Sequence, residues 1–168
     1  MIARENLIQI GEAINARLIK YWELQGHIMP GSQFVEQMEI RIDEERMVLE
    51  SYSVHYARFV NTGVPAANIP FTPGSGRRHS KYIEGLYKYV TRRMGLTDRE
   101  ALSVAFAIAH KHKAEGMPTD GSRQHSQTGE RTHFLDNAFE EIEDEGVIES
   151  IIDEMVLDEV DKNITKHI

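Results

Sequence analysis

A chain of 168 residues, 40% of them hydrophobic, has the length of one domain and enough apolar material for a core, which excludes global disorder. It contains no cysteine, so disulfides, zinc–thiolate sites and thiol nucleophiles are excluded. Nineteen basic against 27 acidic residues give a formal charge of -8, which opposes binding of the whole surface to nucleic acid, where phosphate attraction dominates.

The N-terminal segment carries charges throughout and has no apolar stretch of signal-peptide length. No window reaches the roughly 18 consecutive apolar residues that a membrane span requires. A soluble chain without a targeting segment is expected. Residues 2–22 are predicted to form an amphipathic helix, because Leu7, Ile10, Ile14, Leu18 and Trp22 recur at three-to-four spacing. Gly26, Pro30 and Gly31 end it. Met38, Ile40 and Ile42 then alternate with Glu39, Arg41 and Asp43, the period of a half-buried strand. Asp43 to Arg46 is a polar turn, and Met47 to Val54 is the expected return strand.

Tyr56 to Val60 is predicted to be a short helical turn closed by Asn61-Thr62-Gly63. Val64 to Lys81 is rich in Pro and Gly and is expected to be a long functional loop. A helix follows over Ile83 to Met94 and stops at Gly95. Thr97-Asp98-Arg99-Glu100 has the form of a capping box, with the Thr oxygen taking a first-turn amide and the Glu reaching back. The next helix should bury Leu102, Ala105, Phe106 and Ala109 and end at Gly116, with Pro118 beyond. After a second polar loop, Thr119 to Arg131, the residues Phe134, Leu135, Ala138, Phe139 and Ile142 make a helical face. Val147, Ile148, Ile151, Ile152, Met155, Val160 and Ile164 extend an apolar stripe, with Gly146 as a break. Between Asp136 and Asp161 there is no Lys or Arg, so an acidic C-terminal element faces a basic middle of the chain, and the two are candidates to mate between copies.

Chemistry-bearing patterns are weak. His110 and His112 are two apart on a predicted helix and point to different faces, unlike an i, i+4 metal pair. No lysine follows an acidic residue by two positions, as many metal-dependent nucleases require. His79-Ser80 and His125-Ser126 lack a paired acid. The loop Thr72-Pro73-Gly74-Ser75-Gly76 lacks the Gly-Lys-Ser/Thr ending of a phosphate-binding loop. The acidic residues Glu149, Asp153, Glu154, Asp158, Glu159 and Asp161 sit in a helical pattern without a calcium-binding loop. No enzyme activity, metal or cofactor is expected. Arg77, Arg78, His79 and Lys81 are the candidate binding cluster, for docking or for DNA passing nearby.

One stretch resembles a known family. Tyr56-Ala57-Arg58-Phe59-Val60-Asn61-Thr62-Gly63 is similar to the Tyr-Ala-x-x-Val-Glu-x-Gly signature of the phage tail-component family of head-tail joining and tail-completion proteins. A loop follows, then a helix ending in Gly116-Met117-Pro118, a polar gap, and Phe134-Leu135-Asp136-Asn137-Ala138, in the family's order. Asn61 stands where the family pattern has an acidic residue. The resemblance implies an α+β fold: an N-terminal helix and a small antiparallel hairpin packed against a long helix. Residues 1–145 would form this domain, and 146–168 an acidic helical C-terminal extension. It implies a non-enzymatic virion protein, made in the host cytoplasm, that forms a six- or twelve-fold ring at the neck. Its partners would be copies of itself and neighbouring neck, portal-adaptor or tail-tube proteins, with DNA passing through the lumen and no membrane. In this frame Tyr56, Phe59 and Val60 should pack the short helix onto the core, Gly63 should allow a turn, and Phe134 and Leu135 should open the last helices. Two alternatives from other classes remain: a nucleic-acid-binding regulator using Lys88, Arg92, Arg93, Lys111 and Lys113, and a small hydrolase or nuclease.

Overall fold

The computed structural model describes residues 4–27, 33–43, 45–46, 48–74 and 80–165. Its elements are α1 (Arg4–Leu24), α2 (Gln33–Glu36), β1 (Glu39–Asp43), β2 (Val48–Tyr52), α3 (Ala57–Thr62), α4 (Lys81–Met94), α5 (Asp98–Glu115), α6 (Phe134–Asp144) and α7 (Val147–Thr165). Helices with one two-stranded antiparallel sheet make an α+β fold with a helical C-terminus. The chain divides into two compact units, residues 1–61 with 125–168, and residues 62–124.

The first unit is built on α1. The predicted alternation is realised in the hairpin, where Ile40 pairs with Ser51 and Ile42 with Leu49. Side chains opposite one another share a face, so these four line one side. That side meets α1 at Gly11, where an added Cβ would lie 2.9 Å from Ile40 Cδ1 and 3.0 Å from Leu49 Cδ1. The other face is polar: Arg41 pairs with Glu39 at 3.1 Å and lies over the Tyr52 ring at 4.3 Å.

Trp22 of α1 anchors the core. It stacks on Phe34 at 4.2 Å between ring centres, and Phe134 stands edge-on to both, at 5.2 and 5.3 Å. Leu18, Val54, Ala57 and Ala138 complete the cluster. Such offset and edge-to-face pairs add about 0.5–1.5 kcal/mol each beyond the burial of their area. Charges fasten α6 to α1 at the rim. The Glu141 carboxylate accepts from Lys20 Nζ at 2.6 Å and from Tyr21 Oη at 2.9 Å, and Arg17 pairs with Glu145 at 2.6 Å. The Lys20 ammonium, then Tyr21, hold the Glu141 carboxyl below its usual range. Gly146, at φ 58, separates α6 from α7 as expected.

The second unit has its own core of Ile69, Phe71, Ile83 and Ala109, with Val64, Tyr82, Leu86, Leu102, Phe106 and Met117 packed against it. Ala101, Ala105 and Ala109 are buried along α5 at four-residue spacing, and such small side chains permit close helix approach. Leu102 and Phe106, expected to be buried, are only half-covered. Val64 and Met117 exchange backbone hydrogen bonds at 2.7 and 2.8 Å.

Three expectations about this unit are corrected. The expected long loop from Val64 is not loop throughout residues 64–71. They form a short 3-10 turn, Ala66–Asn68, and then insert Ile69 and Phe71 into the core, because two large apolar side chains outweigh the local prolines. The capping box at Thr97 does not form: Thr97 makes no side-chain cap bond, and Asp98 sits at φ 51, outside the helical geometry the box requires. The effective cap is Ser80, whose Oγ accepts from Ile83 N at 3.2 Å, so α4 starts two residues before the predicted Ile83.

Candidate functional site

The two segments that carry the family resemblance meet through one side chain. Asn61, in the last turn of α3, is buried. Its Oδ1 accepts from Leu135 N at 2.8 Å, its Nδ2 donates to Asp136 Oδ2 at 3.2 Å, and its carbonyl accepts from His133 N at 2.8 Å. The first amides of a helix have no partner within it and carry the positive end of its dipole. Asn61 therefore caps α6 from a distant segment, a task His133, at φ 63 with no cap bond of its own, does not perform. His133 Nδ1 lies 2.9 Å from Asp136 Oδ2, and this contact, then that of Asn61, holds the Asp136 carboxyl below its ordinary range. An acidic residue at 61, the family's usual choice, would present the same acceptor. Leu135 packs half-buried beside the core and Phe134 lies within it, as expected.

Phe59 of α3 is placed differently from expectation. Ala57 and Asn61 are the buried residues of this helix, while Tyr56 is 39% and Phe59 is 51% exposed. A six-residue helix buries one narrow stripe. The small Ala57 and hydrogen-bonded Asn61 take that stripe, so the Phe59 ring points outward, while Tyr56, just before the helix, lies part-exposed with its ring 6.4 Å from that of Trp22. Val60 does pack against the core, half-buried. Gly63, at φ 72, makes the left-handed turn that a Cβ would strain. Of the basic cluster, Arg77, Arg78 and His79 lie outside the described residues, and Lys81 opens α4 as an exposed residue.

No family model, no curated protein and no solved structure matches the chain.

The residues with chemical potential are engaged in packing. Ser80 caps α4, and Ser126 Oγ donates to Leu24 O at 3.3 Å. His112 Nδ1 is 2.7 Å from Tyr82 Oη, while His110 meets the Phe71 ring edge-on at 4.9 Å. Burial keeps His112 below and Tyr82 above their ordinary pKa values, so both are neutral near neutral pH. Among the described residues, no group of three or more His, Asp or Glu converges to hold a metal ion. No helix among them is long and apolar enough to cross a membrane.

Two surfaces remain with features that packing does not explain. The outward face of α4 presents Lys81, Lys88, Tyr89, Arg92 and Arg93, all exposed, with Lys88 paired to Glu84 at 2.7 Å. Lys111 and Lys113, the other half of the expected basic face, are engaged nearby: Lys111 pairs with Glu115, and Lys113 donates to Ile69 O at 3.1 Å. On α7 the half-buried side is Ile148, Ile151 and Met155. Its opposite side exposes Val156, Leu157, Val160 and Ile164 at 55%, 64%, 47% and 55%. Val156 and Leu157 lie outside the single stripe expected from the sequence. They become visible when the helix period is followed along both sides of α7.

Proposed function

We propose that this chain is a structural subunit of a phage virion that assembles into a ring at the head-tail junction or the head-proximal end of the tail. The observation that carries the reading is the second apolar stripe of α7, a contiguous exposed surface that a monomer has no use for. Coming on an acidic helix at the end of the chain, such a stripe is a surface for assembly. The resemblance supplies the kind of assembly, and the union of its two segments through Asn61 supports treating them as one structural signature. Ring subunits use two different patches, one for each neighbour.

The test is the mass of the purified protein over a range of concentration and salt, together with its detection in purified virions. A closed species of about six or twelve subunits and a virion-associated protein are expected. A chain that never appears in virions overturns the reading.

A second reading, a nucleic-acid-binding regulator, is favoured by the basic face of α4 alone. It predicts a gel shift with duplex DNA that weakens steeply with salt. Absence of a shift at low salt ends it.

A further inference from the structure

We infer that the exposed stripe of α7 docks on the outward face of α4 of a second copy of this chain, a contact that rests on the ring reading above. Val156, Leu157, Val160 and Ile164 form a seam at three-to-four spacing. Asp153 continues that seam one turn before Leu157, and Glu154, Asp158 and Asp161 run along one edge of it. The ligand for such a surface is an elongated basic partner whose long side chains offer apolar stems to the seam and charge to its acidic edge.

Pairing of α7 with α7 of another copy fails this requirement, because acidic margins would face acidic margins across a desolvated seam. The outward face of α4 meets it. Lys81, Lys88 and Arg92 share its central stripe, with exposed Tyr89 beside them, and the one acidic residue of the helix, Glu84, pairs with Lys88 at 2.7 Å. Gly85 leaves a gap in this face, since a Cβ built there meets nothing within 4 Å. A helix can therefore approach closely over the first two turns. The lengths also agree: at 1.5 Å per residue, Ile152 to Ile164 spans about 18 Å and Lys81 to Met94 about 20 Å. Because the two patches differ, each copy uses one and offers the other, and contacts made head-to-tail in this way propagate into a ring or a filament.

The experiment compares self-association of the full chain with that of Lys88→Glu/Arg92→Glu, of Asp153→Lys/Glu154→Lys, and of the chain carrying all four substitutions. Every altered position is exposed, so folding should persist, and circular dichroism checks this. Each charge reversal alone is expected to weaken association by about tenfold or more, and the fourfold variant to recover it. Unchanged association in both double variants overturns the α7–α4 contact while leaving the ring reading standing. A wild-type chain that stays monomeric throughout also overturns the contact. Loss of DNA binding, with association intact, in Lys88→Glu/Arg92→Glu assigns α4 to nucleic acid and overturns it as well. If the reversals behave as expected but virions lack the protein, the contact stands and the neck reading falls.

Discussion

Asn61 satisfies two polar groups with one side chain; Asp136 also meets His133 Nδ1 at 2.9 Å, whereas no other acceptor among the described residues meets the Leu135 amide. The Asn61 carboxamide oxygen takes the Leu135 amide and its nitrogen serves the exposed Asp136 carboxylate. Asn61→Ala removes a helix cap and strands a backbone donor, so it is expected to lower stability by about 1–2 kcal/mol, read by denaturant unfolding. Asn61→Asp keeps the acceptor but sets a second carboxylate against Asp136. It should recover part of the loss at acid pH, where one carboxyl is protonated, and less at neutral pH. An Asp variant as stable as wild type at pH 7 would show that the donor to Asp136 contributes nothing.

His27 makes a second residue-scale argument. Its Nε2 donates to Arg131 O at 3.2 Å, and its Nδ1 lies 3.5 Å from Arg131 Nη2, an arrangement that only the neutral ring accepts. Burial, then the Arg131 charge, lowers its pKa to about 4. The unfolded ring titrates near 6.5, so from about pH 6.5 down to 4 the unfolded chain binds more protons and stability falls as pH drops. The lowered carboxyls of Asp136 and Glu141 act in the same direction but only near and below about pH 4.5. The thermal midpoint of His27→Gln should therefore fall less steeply than wild type between pH 6.5 and 4.5, the remaining slope coming from half-buried His112, lowered by its own burial. Parallel slopes would exclude His27 as the titrating group.

At the scale of elements, the contact of α1 with the hairpin depends on the missing side chain of Gly11. Glycine costs about 1 kcal/mol relative to alanine inside a helix, and here it admits Ile40 and Leu49 to within about van der Waals contact of the helix backbone. Gly11→Val is expected to destabilise by about 1–3 kcal/mol through overpacking. It should also speed amide exchange in β1 and β2 ahead of α6. Uniform acceleration across the unit would point to a global effect instead. The hairpin itself was legible, because strict alternation at residues 38–43 fits the two-residue period of a strand and not the period of a helix. The boundaries of α1, α6 and α7 were legible from their own helical period, with Gly26 and Gly146 as stops. What the sequence hid was long-range. Ile69 and Phe71 lie among prolines and polar residues, and only a core contributed by α4 and α5 gives them a place. The cap at Asn61 joins residues 74 positions apart, a pairing no local pattern announces. Outward-facing Phe59 differs from expectation because hydrophobicity alone does not say which side of a six-residue helix is covered.

For the whole molecule, the distribution of burial separates what folds the chain from what it offers to others. Among the described residues, the buried ones of the first unit all precede α7, whose own inward residues, Ile148, Ile151 and Met155, occupy its first half. Beyond Val156 the helix contributes exposed side chains only, among the residues whose burial is described. Removing residues 157–168 should therefore cost little stability, on the order of the ±0.5 kcal/mol typical of surface changes. The same removal takes away Leu157, Val160 and Ile164 together with Asp158 and Asp161, most of the acidic apolar seam. If that seam is an assembly surface, the shortened chain keeps the wild-type unfolding midpoint and loses its concentration-dependent mass. A fall in midpoint comparable to that of a core truncation would instead make α7 part of the fold, and the exposed stripe an ordinary surface. Retention of both midpoint and mass would place self-association elsewhere, with the exposed rings of Tyr56 and Phe59 as the next surface to substitute.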